Sequence, residues 1–296
     1  MEFVLTLIAS DISLTPAHLA RVLGVLADHK IVASDDPSWL TPGKAADIYL
    51  VSRPGYAQMA DIRSVLKSNR IDALINTAQN RRKKLVLCDM DATILDGETL
   101  DDLSEFIGRR QETAAMTERV MRGEMDFTES LHNRVALLKG LPESKLHDVF
   151  ESTPLMPGAR LLISALRQRG TICVLVSGGF THITGAVARE LGFDHHHGNV
   201  LEAENGLLTG RVMDPVLDRE AKLSILEEHR SRLNLEYGEI MAIGDGANDL
   251  AMLQAAGLGI GFHPKPLLAE KLDNLILYGD LSAPLYAQGV VPVQNH

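Results

Sequence analysis

Clusters of polar residues and glycines follow three short apolar runs of the chain. The first cluster lies in the stretch VLCDMDATILDGE, residues 86–98. The residues of the three clusters are Asp89, Asp91 and Thr93, then Ser177, Gly178 and Gly179, and then Asp245, Gly246, Asn248 and Asp249. If the runs are parallel strands of one sheet, their carboxyl ends meet at one edge, which is where ligands of open α/β sheets bind. The three clusters therefore predict one shared site.

The acids of this site predict a divalent cation. Asp89, Asp91 and Asp245 would repel one another strongly unless a positive charge lay among them. Mg²⁺ fits best, because it is commonly held by one or two carboxylates together with a substrate phosphate. Taken singly, Asp91 or Asp245 has a simpler interpretation as a helix cap or turn residue. The prediction therefore depends on the acids occurring together at successive strand ends.

The serine cluster and one lysine add groups that suit an anion. Ser177 offers a hydroxyl, and the two glycines after it leave backbone N–H groups open at a helix start. A glycine-rich turn of this kind is also common for structural reasons alone. Lys222, in the helical stretch DREAKLSILEEH, would by itself be interpreted as a surface lysine. Beside the acids, these groups favour a site that holds an anion next to a cation.

Alternating elements are expected to position these clusters. The runs KLVLCD, TICVLVSGG, EIMAIGDG and GLGIGF predict strands, and ARLLISALRQRG and HITGAVARELG predict helices that end at a glycine. Such alternation indicates an α/β fold with a doubly wound, Rossmann-like parallel sheet. Residues 97 to about 152 contain only helical patterns, which is more chain than one crossover needs, and they predict an inserted helical cap. Asn205-Gly206 predicts a hairpin turn.

A smaller unit is expected before this sheet. Residues 3–9, 47–52 and 71–77 predict strands, with a helix after each of the first two. The result is a small α+β domain over residues 1–80. The stretch AQNRRKK that follows is polar and basic and predicts a solvated linker. The larger unit would then span residues 81–296.

The composition disfavours several classes of partner. The chain has 296 residues, and its 29 Lys and Arg against 39 Asp and Glu give a formal net charge of −10, which disfavours nucleic acid and anionic membrane surfaces. Cys88 and Cys173 lie in apolar runs, as expected of reduced core cysteines. The start MEFVLTLIASD lacks the basic region of a signal peptide, and no apolar run has the ~20 residues that span a bilayer. A cytoplasmic protein is expected. The histidines at 195–197 predict a loop rather than a metal site.

The motifs DMDAT, VSGG, the isolated Lys222 and GDGAND occur in that order. They resemble the four signature motifs of the haloacid dehalogenase superfamily of phosphotransferases, over residues 83 to about 270. Within that superfamily, ILDGE, MRGEMDFTESLHNRVALLKGL and LTGRV are similar to the branch that hydrolyses phosphoserine. Met90 and Ala92 depart from the aromatic residue and the serine that are common there, but neither position supplies the chemistry.

The resemblance implies a role for each site residue. Asp89 is expected to attack phosphorus as the nucleophile, and Asp91 to act as the general acid and base. Mg²⁺ is expected to be held by the Asp89 carboxylate, the backbone carbonyl of Asp91 and the Asp245 carboxylate. The residues expected to hold the phosphoryl group or substrate are Ser177, Gly178, Lys222 and Asn248, with Asp249 supporting Lys222 or the waters of the metal.

Charge matching agrees with phosphoserine as the substrate, because that molecule carries a carboxylate and an ammonium group besides its phosphate. Glu98 is expected to bind the ammonium, and Arg134 the carboxylate, since a guanidinium fork binds two oxygens at once. By the resemblance, Met121 and Phe127 line the pocket. Without it, Arg134 would be interpreted as a helix residue whose head lies in water. The implied activity is the last step of serine biosynthesis.

Residues 1–80 resemble a degenerate form of the small regulatory domain, ferredoxin-like or ACT-like, that is attached to some members of the family. This domain is also a candidate interface for a homodimer. Two alternatives stay open for the chain as a whole. One is another small-molecule phosphatase or phosphotransferase, and the other is a binding protein that senses an amino acid.

Overall fold

The computed structural model describes residues 2–121 and 124–292, without the side chain of Met121. The strands are β1 (Phe3–Ala9), β2 (Ser38–Thr41), β3 (Ala45–Leu50), β4 (Ile71–Thr77), β5 (Leu85–Cys88), β6 (Ile172–Phe180), β7 (His195–Asn199), β8 (Leu201–Glu204), β9 (Leu207–Val212), β10 (Ile240–Gly244), β11 (Leu258–Phe262) and β12 (Leu275–Ile276). The helices are α1 (Pro16–Asp28), α2 (Tyr56–Leu66), α3 (Thr99–Glu105), α4 (Arg110–Met121), α5 (Phe127–Leu137), α6 (Lys145–Ser152), α7 (Ala159–Arg167), α8 (Thr181–Leu191), α9 (Arg219–Arg232), α10 (Leu250–Ala255), α11 (Pro266–Ala269) and α12 (Ala283–Ala287).

A run of parallel strands carries the three polar clusters. Its order is β12-β11-β10-β5-β6-β7, and β5 and β10 are apolar and buried along their whole length, as expected when helices cover both faces of a parallel sheet. The chain leaves β5 toward β6 on one side and later returns to β10 on the other side. Asp89 and Asp245 follow these two strands and so lie where the strand order reverses, the usual ligand position in such sheets. The predicted doubly wound α/β fold is confirmed.

A helical cap is inserted after β5. It consists of α3 to α6, which begin at Thr99 and end at Ser152. Two adjacent chain segments connect it to the sheet, because the N–H of Asp96 donates to the carbonyl of Pro154 at 2.8 Å and the N–H of Met156 donates to that of Ile94 at 2.9 Å. The cap is therefore attached at one narrow root.

The predicted hairpin consists of β8 and β9. Asn205 and Gly206 form its turn with φ values of 51° and 76°, and a type I′ turn requires this left-handed conformation at both central positions. The hairpin packs against the cap, since the N–H of Gly140 donates to the carbonyl of Leu208 at 2.8 Å.

The N-terminal unit extends the same sheet. Its elements follow the order β1-α1-β2-β3-α2-β4, and its strands lie in the order β2-β3-β1-β4 with antiparallel pairing, which is the ferredoxin-like arrangement. Leu275 of β12 pairs with Ala73 of β4, so that one ten-stranded sheet runs through both units. The boundary near residue 80 and an ACT-like role for residues 1–80 stay predictions.

The basic stretch between the units is only partly solvated, so the expectation of a solvated linker is wrong for two of its residues. Arg81 lies 2.7 Å from the buried carboxylate of Asp47. Lys83 is 3% exposed and donates to the carbonyl of Gly238 at 2.8 Å. Arg82 and Lys84 are exposed. Buried and exposed side chains thus alternate along this stretch, as expected of an extended chain with one buried face. The side chains of Arg81 and Lys83 point inward and contact both units.

The histidines at 195–197 lie on strand β7 rather than in a loop, because β7 pairs in parallel with β6. Nε2 of His197 lies 3.1 Å from Nε2 of His229 on α9. Arg232 donates from Nη2 to Nδ1 of His229 at 2.8 Å and to Nε2 of His195 at 3.0 Å. Burial lowers the pKa of His229 to about 4, and the neighbouring Arg232 adds to this shift. His229 is therefore a neutral ring at pH 7 and accepts from the guanidinium of Arg232.

Along the described residues, none of the helices combines the length and apolar character needed to cross a membrane.

Candidate active site

The carboxyl ends of β5 and β10 bring three carboxylates and one ammonium group together. Asp89, Asp245 and Asp249 are buried, and one oxygen of each lies within 4.8 Å of the others. Nζ of Lys222 lies 2.7 Å from Oδ1 of Asp89 and 2.6 Å from Oδ1 of Asp249. Glycine is required at position 244, since a Cβ there would lie 2.5 Å from the carboxyl carbon of Asp249. Two strand ends and one helix thus converge on a single charged centre.

Burial shifts the pKa values of this centre. It raises the pKa of Asp89 well above its usual value, and the charge of Asp249 adds to the shift while Lys222 opposes it. Burial also raises the pKa of Asp245 to about 7, although Lys265 opposes this. For Lys222, burial lowers the pKa, but Asp249 and Asp89 outweigh it and leave the pKa raised. Lys222 therefore stays charged. Its single positive charge is smaller than the combined negative charge that the three carboxylates around it can carry.

The donor set of the centre fits a hard divalent cation. Such ions prefer oxygen ligands and are stabilised by an excess of carboxylates. Oδ1 of Asp89 accepts from Lys222, and one oxygen each of Asp89, Asp245 and Asp249 lies within 4.8 Å of the others. An added cation would offset the burial and the neighbouring negative charges that raise the pKa values of Asp89 and Asp245. The buried acids can therefore hold a metal ion.

Asp91 is held in a turn after β5 by two hydrogen bonds. Its Oδ1 accepts from the N–H of Thr99 at 2.9 Å, and its Oδ2 accepts from the hydroxyl of Ser177 at 3.2 Å. Burial raises the pKa of Asp91 to about 6, and the negative charge of Glu98 adds to the shift. A carboxyl group with a pKa this close to neutrality suits both the release and the uptake of a proton.

The glycine turn at the end of β6 forms one wall of the site. The N–H of Gly179 donates to Oγ of Ser177 at 2.8 Å, and a Cβ on Gly179 would lie 3.0 Å from Oδ2 of Asp91. Asn199 on β7, which was not among the sequence predictions, donates to the carbonyl of Gly178 at 2.8 Å. A buried amide on a polar edge strand gave no signal in the sequence, yet it fixes the position of the turn.

Lys265 is a second site residue that the sequence predictions missed. Its Nζ lies 3.0 Å from Oδ2 of Asp245 and 3.1 Å from Oε1 of Glu98. Burial lowers the pKa of Lys265, but Asp245 and Glu98 outweigh this effect and raise it. A signal was available, because Lys265 follows β11 as the other clusters follow their strands. It was overlooked because two turn residues, His263 and Pro264, separate it from the strand.

The cap covers the site with one cation and one aromatic ring. Arg134 on α5 is 7% exposed, and its Nη1 donates to Oγ1 of Thr117 at 2.9 Å. Phe127, at the start of α5, lies over the glycine turn, because a Cβ on Gly178 would come within 2.8 Å of its ring. Contact with the wall of the site means that the cap is closed.

One cavity connects these groups. It is lined by Asp89, Asp91, Glu98, Leu100, Thr117, Val120, Phe127, Leu131, Arg134, Ser177, Gly178, Gly179, Asp245, Asn248 and Lys265. Oδ1 of Asn248 is buried there without a hydrogen-bond partner among the described residues, so a ligand group could satisfy it. Lys222 and Asp249 are buried next to this lining rather than part of it. The predicted pocket residue Met121 lies outside the described residues, since its side chain is not described.

A second cavity adjoins the first. A larger cavity of about 720 Å³ shares Glu98, Thr117 and Lys265 with the first one and extends toward Leu267 on α11. This second cavity lies between α4 of the cap and α11 of the core.

The strand-end acids, the buried lysine, the glycine turn and the cap together define a class of enzyme. A family model of haloacid dehalogenase-like hydrolases matches residues 86–254. This span contains Asp89, Ser177, Lys222 and Asp245, and the chain belongs to this family. The superfamily resemblance of the sequence motifs is confirmed.

Individual relatives have more specific names. Phosphoserine phosphatase SerB2 of Mycobacterium tuberculosis is 45% identical over 210 residues, which are 71% of this chain and 51% of that protein. A solved structure described as a phospho-aspartyl intermediate analogue of phosphoserine phosphatase is 38% identical with a TM-score of 0.66, over 69% of this chain and 98% of that chain. A haloacid dehalogenase family hydrolase from Salmonella enterica serovar Typhi shares the fold, with a TM-score of 0.83 at 24% identity, over 97% of this chain and 98% of that one.

The chain spans about half the length of the first curated relatives that it matches, with coverage of 51%, 57% and 51% for three phosphoserine phosphatases.

Proposed function

We propose that the protein is a phosphoserine phosphatase, which hydrolyses O-phospho-L-serine to L-serine and phosphate through an aspartyl-phosphate. The observation that carries the proposal is the placement of Glu98 and Arg134, two groups of opposite charge, in the same cavity as Asp89. Phosphoserine carries an ammonium and a carboxylate for these two residues and a phosphate for the nucleophile. The names of the relatives agree with this assignment.

In the first half-reaction, a carboxylate oxygen of Asp89 attacks phosphorus and forms a new P–O bond. The bond from phosphorus to the seryl oxygen breaks, and Asp91 donates its proton to the departing oxygen. The raised pKa of Asp91, about 6, keeps part of the enzyme in the protonated form that this step needs. Serine leaves, and Asp89 carries the phosphoryl group.

In the second half-reaction, a water molecule attacks the phosphorus of the aspartyl-phosphate. Asp91, now a carboxylate, takes a proton from that water. The P–O bond to Asp89 breaks, and phosphate leaves. Both side chains return to their starting protonation states, so that one water is consumed for each phosphoserine.

The surrounding groups stabilise the phosphoryl charge. Ser177, the N–H of Gly178 and the ammonium of Lys222 would hold phosphoryl oxygens, while Asp249 positions Lys222 at 2.6 Å. Phosphoryl transfer depends mainly on such positioning and electrostatic stabilisation. Because Nζ of Lys222 lies 2.7 Å from Oδ1 of Asp89, its charge would lie next to the bond that forms between Asp89 and phosphorus.

The cofactor of the proposed reaction is Mg²⁺. It would be held by the carboxylates of Asp89 and Asp245 and by the backbone carbonyl of Asp91, and when bound it neutralises phosphoryl charge so that one anion can attack another.

Further residues would complete the substrate pocket. Asn248 would contact the substrate through its buried amide oxygen. Phe127 and Met121 would form the apolar wall, and closure of Phe127 onto Gly178 excludes bulk water from the reacting groups. The wider setting that we propose is the last step of serine biosynthesis in the cytoplasm, with residues 1–80 as a regulatory domain and a homodimer interface.

Phosphate release tests the proposal. Purified protein with Mg²⁺ is expected to hydrolyse phosphoserine with a higher kcat/KM than phenyl phosphate, and Asp89→Asn is expected to lose activity by at least about 10³-fold, since it removes the nucleophile. Asp96→Asn is the matched control, because Asp96 is an exposed acid of the same stretch.

Three other results would contradict the proposal. Preference for phenyl phosphate would indicate a different small-molecule phosphatase. Transfer of the phosphoryl group to an alcohol instead of water would indicate a phosphotransferase. Equal rates for wild type and Asp89→Asn would remove the nucleophile assignment and leave a binding protein.

A further inference from the structure

Lys265 connects the two acids that have different tasks in the proposed reaction. One acid is Asp245, at the metal site, and the other is Glu98, at the root of the cap. Nζ of Lys265 contacts Oδ2 of Asp245 at 3.0 Å and Oε1 of Glu98 at 3.1 Å. It is thus the cation of the cavity that contacts both the core and the cap root.

The backbone fixes the position of Lys265. Its N–H donates to the carbonyl oxygen of Asp245 at 2.9 Å, and α11 begins directly after it at Pro266. The lysine is therefore attached to the end of β10 through both main chain and side chain. Its ammonium group has a fixed base from which to reach the cap.

The pair of Lys265 and Glu98 contributes little to stability. The two side chains are 31% and 36% exposed, and ion pairs at such positions stabilise a fold only weakly. Its effect lies in the orientation of Glu98, because a glutamate at the root of a cap would otherwise sample several rotamers. The contact between Oε1 of Glu98 and Nζ of Lys265, at 3.1 Å, restricts that freedom.

We propose that Lys265 is a positioning residue for recognition of the substrate's ammonium group. It would hold Glu98 through Oε1 so that the second carboxylate oxygen can accept from the ligand, since a carboxylate can accept from two donors at once. This inference rests on the proposed function, because it assigns a partner to the ammonium of phosphoserine. Lys265 acts through Glu98 and does not itself contact the reacting phosphorus.

The proposal predicts an effect that depends on the substrate. Two substrates separate the roles: phosphoserine, and 3-phosphohydroxypropionate, which has the same carboxylate and phosphate but no ammonium group. Lys265→Met frees Glu98, and the cost of ordering one side chain on binding should lower the ratio of kcat/KM for phosphoserine to that for 3-phosphohydroxypropionate about fivefold. Any effect transmitted through Asp245 changes kcat/KM equally for both substrates, and it therefore cancels in the ratio.

A double-mutant cycle with Glu98 completes the test. Glu98→Gln is expected to lower the same ratio, and Lys265→Met is expected to lower it no further in that background, because the lysine acts through the glutamate. Lys265→Arg should restore most of the ratio, since it supplies a cation of similar reach. Lys271→Met, at an exposed lysine of the same domain, should match the wild type.

Three outcomes would overturn the proposal: an unchanged ratio in Lys265→Met, a ratio that rises because Lys265 competes with the ammonium for Glu98, or additive losses in the double variant. Thermal melts of each variant separate loss of folding from loss of selectivity. Failure of the proposed function has a different signature, since the wild type would then show no preference for phosphoserine over 3-phosphohydroxypropionate at the start.

Discussion

Replacement of Arg134 by methionine tests how the carboxylate of the substrate is recognised. A guanidinium has five N–H donors. In the structure, Nη1 donates to Oγ1 of Thr117 at 2.9 Å and Nε donates to the carbonyl of Ser130 at 3.4 Å. With respect to the described residues, three donors are left, two of them on Nη2. This is enough for a carboxylate to accept two parallel hydrogen bonds from a side chain whose orientation is already fixed.

The expected magnitude follows from these contacts. A hydrogen bond that involves a charged group contributes about 1.5–3 kcal/mol, so that loss of the two should cost about 3 kcal/mol or somewhat more. Because each 1.36 kcal/mol is tenfold in rate, kcat/KM for phosphoserine should fall about 100-fold or more in Arg134→Met. Methionine fills most of the volume of the arginine stem, so the packing of the cap should be little changed.

The assay compares phosphoserine with phosphoethanolamine, which has the ammonium group and the phosphate but no carboxylate. Arg134→Met should lose activity on phosphoserine and keep most of its activity on phosphoethanolamine. Arg109→Met, at an exposed arginine of the cap, should behave as the wild type on both. Equal losses on both substrates would refute the reasoning and would show that Arg134 supports the cap rather than the carboxylate.

Two further predictions concern stability. Arg81→Met should reduce the free energy of unfolding in urea by about 3 kcal/mol, because it leaves the carboxylate of Asp47, which is 1% exposed, without its cation. Arg82→Met, at the exposed neighbour, should change the free energy of unfolding by less than about 0.5 kcal/mol. Similar losses for both variants would disprove the pairing argument. His229 has a pKa of about 4 in the folded protein and about 6.5 in the unfolded chain. Between pH 4 and pH 6.5 the unfolded chain therefore binds more protons than the folded protein. The free energy of unfolding should fall by about 2–3 kcal/mol as the pH drops from 6.5 to 4. His229→Gln should reduce that slope in urea titrations at several pH values, whereas exposed His132→Gln should not, and an unaltered slope in His229→Gln would contradict the argument.

The parts of the fold that the sequence predicted are those with a strong local signal. Strands β5 and β10 are continuous apolar runs because both faces of the sheet are covered, and each ends in an acid. Their order in the chain was sufficient to predict that Asp89 and Asp245 share one sheet edge. The turn at Asn205-Gly206 was equally clear, because few other residue pairs adopt two positive φ values without strain.

The parts that were missed have partners that are distant in sequence. β2 is four residues long, with two exposed residues followed by two half-buried ones, so it lacks the alternation of a half-buried strand. β7 is rich in histidine and is ordered by pairing with β6, which no local pattern of HHHGN reveals. Arg81 and Lys83 looked like solvated charges because the acceptors that bury them come from β3, α12 and the segment before β10. Lys265 is recognisable as a site residue only once β10 and β11 are known to be neighbours.

The ten-stranded sheet has a consequence for the solubility of the unit that contains the parallel strands. Without β4, strand β12 would form the open edge of the parallel sheet, with the apolar residues Leu275 and Ile276 exposed beside free backbone donors and acceptors. Open apolar edges pair readily with other chains and promote aggregation. The N-terminal unit covers this edge and moves the sheet boundary outward to β2, a short strand whose first residues, Ser38 and Trp39, are exposed. Whether or not it binds a ligand, the N-terminal unit therefore covers an apolar sheet edge that would otherwise pair with other chains.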